Sequence, residues 1–512
     1  MQAIIATKEA VYAQQMVVAP MPTSQHLALL RLTPEAASST VEGVKNLFGM
    51  AEKYAGGNVT VETSNVGDAV VTTLTAPPMP QQLAVTCLGD VFVFCTSSDL
   101  MTKSLGMLTG GEGKSKFDDP RLAEALKHLP EAEDSVVFFD GKTMFQNLRG
   151  FGAFIKEAAA AQGGGDDENI QRLVDVIDII LDDVSILDYE VTVEYTEGNL
   201  NRSAAYGKLL AGTEDSTMRK MLESGQPFAK WQAWVPAGAL SYSMGTGVNL
   251  HVAYERIMSV VKEKFPEAND ALAEFERIQE QVGIHLDRDI LQSFSGEYAS
   301  VTLGDQSSVF AVRCENPDRI RELLRRGLEA LQQIPQVKML QLKFAPCKSL
   351  DGFEQLTAPM LAMNNIMPVI GARDGWLYIG TTAKAVQSVF DAQAGSTETI
   401  ETTDAFKRLN LEIDGPVDSI SYSNTAEDIR GIAQALRSVG SILPMVMAMA
   451  GGNMNQEDLK PIQEVLALLP DIAKIIEKFD FFEATITVNE AGEQPDSYVR
   501  RTVTAIRPPA NM

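Results

Sequence analysis

Four histidines and four cysteines are the residues best suited to metal, redox or nucleophilic chemistry in this 512-residue chain. None stands at a spacing that such chemistry uses. His26, His128, His251 and His285 make no H-E-x-x-H or H-x-H pattern, so neither a metal centre nor any other cofactor is expected. His26 falls in an alternating apolar strand, where a structural role is expected. Cys87, Cys95, Cys314 and Cys347 are too scattered for a C-x-x-C site or a disulfide framework and should be free, buried thiols. Cys87 and Cys95 flank the turn at Leu88 to Asp90 unequally, so a hairpin there would not set them opposite each other. The chain has no G-x-S-x-G elbow and no phosphate-binding loop. Gly245-Thr246-Gly247 lacks the third glycine of a dinucleotide loop and reads as a flexible turn. HLDRD, from His285 to Asp289, could supply an acid and base pair. The competing reading is a helix start, with Asp287 as the cap and Asp289 favoured in the first turn by the helix dipole.

Two stretches could face a ligand or partner. LPMVMAMAGGNM, from Leu443, is apolar on every side of a helix; its Met445, Met447 and Met449 would make an adaptable surface if exposed and a sealed core if not. Trp231 and Trp234, in KWQAWVP, could form an aromatic platform or anchor the segment that follows. The formal charge is -25, from 68 acidic against 43 basic residues, so the summed field repels nucleic acid, which is not expected as a partner. The acids are spread along the chain, as on a solvated surface. The stretch from Met1 to Pro20 lacks the pattern of a signal peptide, and no run reaches the roughly 18 unbroken apolar residues of a membrane span.

The elements that would position these residues occur twice. SQHLALLRLTPE, from Ser24, matches SSVFAVRCENPD, from Ser307, and in both an apolar strand ends at a capping residue and a proline, Thr33-Pro34 and Asn316-Pro317. Leu-Thr-Ala-Pro recurs at Leu74 to Pro77 and Leu356 to Pro359. LGDVFVFCTSSDLMTKSL, from Leu88, matches RDGWLYIGTTAKAVQSVF, from Arg373, and DSVVFFDGKTMFQNL, from Asp134, matches DSISYSNTAEDIRGI, from Asp418. The matches keep one order at an offset of about 280 to 285 residues, and each copy closes with a strand pair. Strands joined by short turns, with helices between some of them, imply an α+β fold of two tandem related units, each a mainly antiparallel sheet with helices on one face. The expected boundaries are 1–212, a linker at 213–229, and 230–512. The second copy opens with an extra strand and helices that the first has no room for, as if the first were trimmed or its start lay upstream of Met1.

The pattern D-[IL]-L-x-x-[FL]-x-G-E-x-A at Asp289 to Ala299, FAVR with its proline-initiated helix, and the DGWLYIG hairpin resemble an uncharacterised bacterial domain-of-unknown-function family of predicted cell-envelope proteins. The resemblance implies an extracytoplasmic or envelope location and carries over no catalytic residue. The expectation is a non-catalytic binding or scaffolding protein for a protein, peptide or lipid ligand, held in a groove framed by the two copies. The alternative is a hydrolase-like enzyme whose carboxylates, Asp140, Asp287, Asp289 and Glu297, converge without a local motif.

Overall fold

The computed structural model describes residues 8–17, 23–55, 57–77, 81–111, 113–161, 168–247, 249–332, 338, 340–359, 367–413, 415–434, 436–437, 468–479 and 481–507. Met445, Met447 and Met449 lie outside the described residues.

Period-two alternation builds two antiparallel sheets. The first contains β1 (Glu9–Val17), β2 (Thr23–Arg31), β3 (Thr60–Val66), β4 (Ala69–Thr75), β5 (Gln82–Leu88) and β6 (Val91–Cys95), in the spatial order β1-β2-β6-β5-β4-β3. The second holds β7 (Ser135–Phe139), β8 (Leu187–Glu197), β9 (Leu200–Leu209), β10 (Ala239–Gly245), β11 (Phe294–Leu303), β12 (Ser308–Cys314) and β13 (Lys343–Pro346). It is completed by β14 (Glu354–Thr357), β15 (Val369–Arg373), β16 (Trp376–Gly380), β17 (Ser419–Ser423), β18 (Phe482–Ala491) and β19 (Ser497–Ile506). The order across it is β13-β14-β15-β16-β12-β11-β10-β17-β18-β19-β9-β8-β7. The fold is therefore mixed α+β. The order β1-β2-β6-β5-β4-β3 has the same form as β11-β12-β16-β15-β14-β13, while the sheets themselves differ in size, six strands against thirteen among the described residues.

Helix starts follow local chemistry. Thr33 accepts from the Ala36 N–H at 3.2 Å with Pro34 in the first turn, and Asn316 accepts from the Arg319 N–H at 3.2 Å with Pro317 behind it. Ser97 and Thr382 cap the helices that follow β6 and β16 in the same way.

The helices do not keep to one face of a sheet. In the first sheet, Val85, Phe92 and Leu74 pack with Val41 and Phe48 of helix Pro34–Tyr54, while Ala84, Val93 and Cys95 pack with Met101 and Leu105 of helix Ser98–Leu108. Adjacent strand residues point to opposite sides, so each face has its own helix. The same holds around β15 and β16: Ile370 and Leu377 meet Ile320 and Leu323 of helix Pro317–Leu331, whereas Val369 and Tyr378 meet Val386 and Phe390 of helix Ala383–Gln393. These strands are apolar on both sides because both sides are covered, which the expectation of one helical layer missed.

The chain forms two compact units, 1–123 with 140–185, and 124–139 with 186–512. This division cuts across the expected boundaries at 212 and 230. The reason is pairing: β9 runs beside β19 from Ser497↔Lys208 to Ala505↔Leu200, so β7, β8 and β9 continue the sheet made by residues 239–506. Among the described residues, no helix is long and apolar enough to cross a membrane.

Candidate functional site

The residues singled out by type are held by separate local partners. Trp231 is 2% exposed and stacks on Tyr242 and against Phe406, so it is a core residue and no platform. Trp234 is half-buried among Phe228, Trp376 and Tyr378. Both anchor the entry to β10. The four carboxylates share no partner. Asp140 accepts from Arg121 Nη2 at 2.8 Å, from Lys116 Nζ at 2.6 Å and from the Thr143 N–H at 3.0 Å. Burial would raise its pKa, but those cationic and backbone donors outweigh it and hold the carboxyl well below the usual range. Glu297 is buried and accepts from the Gln226 N–H at 3.1 Å and the Ser295 hydroxyl at 2.6 Å, pinning the turn before Trp231.

HLDRD departs from the expected helix start. It forms one wide turn, Leu286–Ile290, within which the Asp289 carboxylate reaches back to accept from the His285 N–H at 2.7 Å. The Arg288 side chain, with that N–H, keeps the Asp289 carboxyl below the usual range. Asp287 points elsewhere, to His251 Nδ1 at 2.6 Å, and His251 and Glu255 join it in one group. The sequence signal of this group is a His and a Glu four apart on a helix, with no second histidine.

Gly245 lies within β10, where a Cβ would press on Ser419 and Tyr298, and Gly247 turns the chain at φ +87°. The G-x-G serves close strand packing and a turn. The cysteines are free; Cys95, Cys314 and Cys347 are buried and Cys87 is half-buried. Cys87 faces Phe92 and Cys95 faces Ala84. Burial pushes the Cys95 and Cys314 thiols up, away from the reactive thiolate.

The feature with the greatest extent is one face of the second sheet. Its strands send Tyr242, Met244, Ala299, Val301, Ile420, Tyr422, Ile486, Val488 and Val503 into the core. The alternate residues face the other way; many are small hydroxyls, and Tyr298, Asn489 and Arg500 adjoin them on the same face. Cross-strand register sets Ser308, Thr302, Ser241, Ser423, Thr485 and Thr504 side by side in one row. A second row holds Ser300, Ser243, Ser421, Thr487, Thr502 and Ser203. Neighbours within a row are about 4.8 Å apart, and the rows are separated by two strand residues, about 6.8 Å.

Some of these hydroxyls bond each other: Thr302 with Ser308 at 3.2 Å, Thr485 with Thr504 at 3.1 Å, and Thr487 with Thr502 at 3.0 Å. Ser423 donates to Asp428, and Thr425 meets Thr485 at 3.1 Å, both from the segment leaving β17. Ser203, Ser241, Ser300 and Ser421 make no side-chain hydrogen bond among the described residues, and all four are at least partly exposed. At one end the second row continues into Phe310 and Ile379, 43% and 42% exposed. Toward the other end, Tyr498 donates to Glu190 at 2.6 Å and Arg500 closes on the same carboxylate at 2.6 Å. No His, Lys or Cys stands in the two hydroxyl rows, so no neighbour in them is a base that would activate a hydroxyl as a nucleophile.

The sequence carried a signal for this face in SYS at 241–243, SISYS at 419–423, TIT at 485–487 and TVT at 502–504. Each is a hydroxyl at period two between apolar residues. The signal is weak strand by strand, because Thr is common in any strand and the rows exist only once register aligns them. Compared with protein-family models, with curated proteins and with solved structures, the chain matches none.

Proposed function

We propose that this is a non-catalytic binding or scaffolding protein of the cell envelope, whose docking surface is the hydroxyl-lined sheet face and whose ligand is an extended, uncharged, polyhydroxylated chain such as a glycan strand. The observation that carries the reading is the pair of hydroxyl rows crossing β11, β10, β17, β18 and β19. Each Ser or Thr both donates and accepts, and each loses little conformational freedom on binding, so a flat field of them favours a ligand dense in hydroxyls or amides. The spacing within a row is close to the rise of one sugar ring in an extended β-linked glycan. Phe310 and Ile379 extend the second row with apolar surface against which a ring face can stack. The uncharged rows distinguish this ligand from a nucleic acid, which the charge of -25 disfavours. The hydrolase-like alternative has less support, because Asp140, Asp287, Asp289 and Glu297 are each committed to a partner of their own.

The test is titration calorimetry with soluble β-linked oligosaccharides, wild type against Ser243→Val/Ser421→Val. Valine keeps strand propensity and removes two hydroxyls from the middle of the second row. The expected result is saturable binding, weakened at least about fivefold in the double variant, each lost hydrogen bond being worth about 0.5–1.5 kcal/mol. Equal affinity of the two proteins, or no binding to any uncharged glycan, would overturn the reading.

A further inference from the structure

The geometry points to a binding site for a divalent transition-metal ion of the Zn2+ type at His251, Glu255 and Asp287, independent of the glycan reading. His251 and Glu255 stand four apart on helix Leu250–Lys264, on one face and one turn from each other. Asn249 starts this helix by accepting from the Val252 N–H at 3.2 Å, which fixes the first turn that carries His251. Asp287 arrives from the turn Leu286–Ile290, which is itself anchored: the Leu286 N–H donates to Gln279 at 2.6 Å, and Asp289 accepts from the His285 N–H at 2.7 Å. One local contact thus fixes the helix start that carries His251, and two fix the turn that carries Asp287. One donor atom from each lies within 4.8 Å of the others.

The arrangement within the group favours a cation. Asp287 Oδ1 sits 2.6 Å from His251 Nδ1, so Nδ1 carries the proton and donates it, as in the carboxylate and histidine pairs that orient metal ligands. The other ring nitrogen, Nε2, lies 3.5 Å from Glu255 Oε2. Zinc bonds of about 2.0–2.1 Å at the tetrahedral angle separate two ligand atoms by about 3.4 Å, so an ion fits between them with no large movement. Gln292 Nε2, at 3.4 Å, steadies the other oxygen of Asp287. One imidazole and one carboxylate as direct ligands, with Asp287 on Nδ1 orienting the ring, suit Zn2+, Mn2+ or Fe2+ better than a thiol-seeking ion. Side-chain exposures of 23% for His251, 31% for Asp287 and 64% for Glu255 leave room for water in the remaining positions. The surplus of negative charge on the chain raises the local cation concentration.

The experiment is calorimetric titration of the metal-free full chain with Zn2+ at physiological salt, repeated with His251→Ala, Glu255→Gln and Asp287→Asn, and followed by Co2+ absorption to report the donor set. Expected are one saturable site, loss of that site in His251→Ala, and weakening of at least about tenfold in Glu255→Gln and Asp287→Asn. Glu255 is exposed, so Glu255→Gln should keep the wild-type melting temperature in the absence of metal, and a loss of binding there is not a loss of fold. The site is overturned if wild type binds no Zn2+ at one equivalent, or if Glu255→Gln and His251→Ala bind as wild type does, which would assign the uptake to diffuse surface acids.

Discussion

Asp140 combines two roles that substitutions can separate. It caps helix Gly141–Ala161 through the Thr143 N–H at 3.0 Å, and it neutralises Arg121 and Lys116. Asp140→Ala removes both and should cost about 2–4 kcal/mol in a urea melt at neutral pH, from a lost cap and lost charge-assisted bonds. Asp140→Asn keeps the cap and should cost less. The folded-state pKa of Asp140 is depressed, so its ionic contribution is present above the unfolded carboxyl pKa of about 3.9 and is lost as pH falls below that toward the folded value. The stability gap between wild type and Asp140→Asn should therefore be constant from about pH 5 to 7 and narrow below about pH 4. A gap that widened in acid would refute the pairing.

At the scale of elements, the β9 and β19 pair depends on one missing side chain. Gly207 lies under the Tyr498 ring, and a Cβ built there falls 2.1 Å from the ring carbon Cζ. The flat ring can then reach across β9 to Glu190 on β8, with Arg500 on the same carboxylate. Gly207→Ala should destabilise by about 1–3 kcal/mol, a steric cost at a packed contact. Combining it with Tyr498→Ala should cost less than the sum of the two single changes, since the clash goes with the ring. Additive losses in chemical melts would show that the ring is not what Gly207 accommodates. The hydroxyl rows depend on the same strands, because a slip of one residue would turn Thr502 and Thr504 into the core and Val503 out to solvent.

Over the whole molecule, the longest sequence separations carry a large part of the structure. β9, near residue 205, is sealed by β19, near residue 501, and β17 pairs with β10 from nearly 180 residues earlier and with β18 from more than 60 later. Closing such loops is slow and leaves strand edges open until late. Deleting residues 497–512 would expose the edges of both β9 and β18. The truncated chain should lose the cooperative melt of the second unit and aggregate, measured by circular dichroism and light scattering. A truncated monomer with an unchanged melt would show that β19 is dispensable.

What the sequence by itself determined is what neighbouring residues decide. Thr33-Pro34 and Asn316-Pro317 start helices as read, because a cap involves atoms three residues apart. The antiparallel α+β class, the unequal flanking of the Cys87 and Cys95 hairpin, and the buried state of three thiols follow from alternation and short turns. The tertiary structure alone decided that helices cover both faces, that Trp231 is core, and that β7 to β9 belong with β19. It also decided that hydroxyls from separate strands form rows and that Asp287 meets a histidine 36 residues away. Each of these requires two distant segments to choose a common register, and that choice is made by the summed burial of whole strands, which no local run of residues contains.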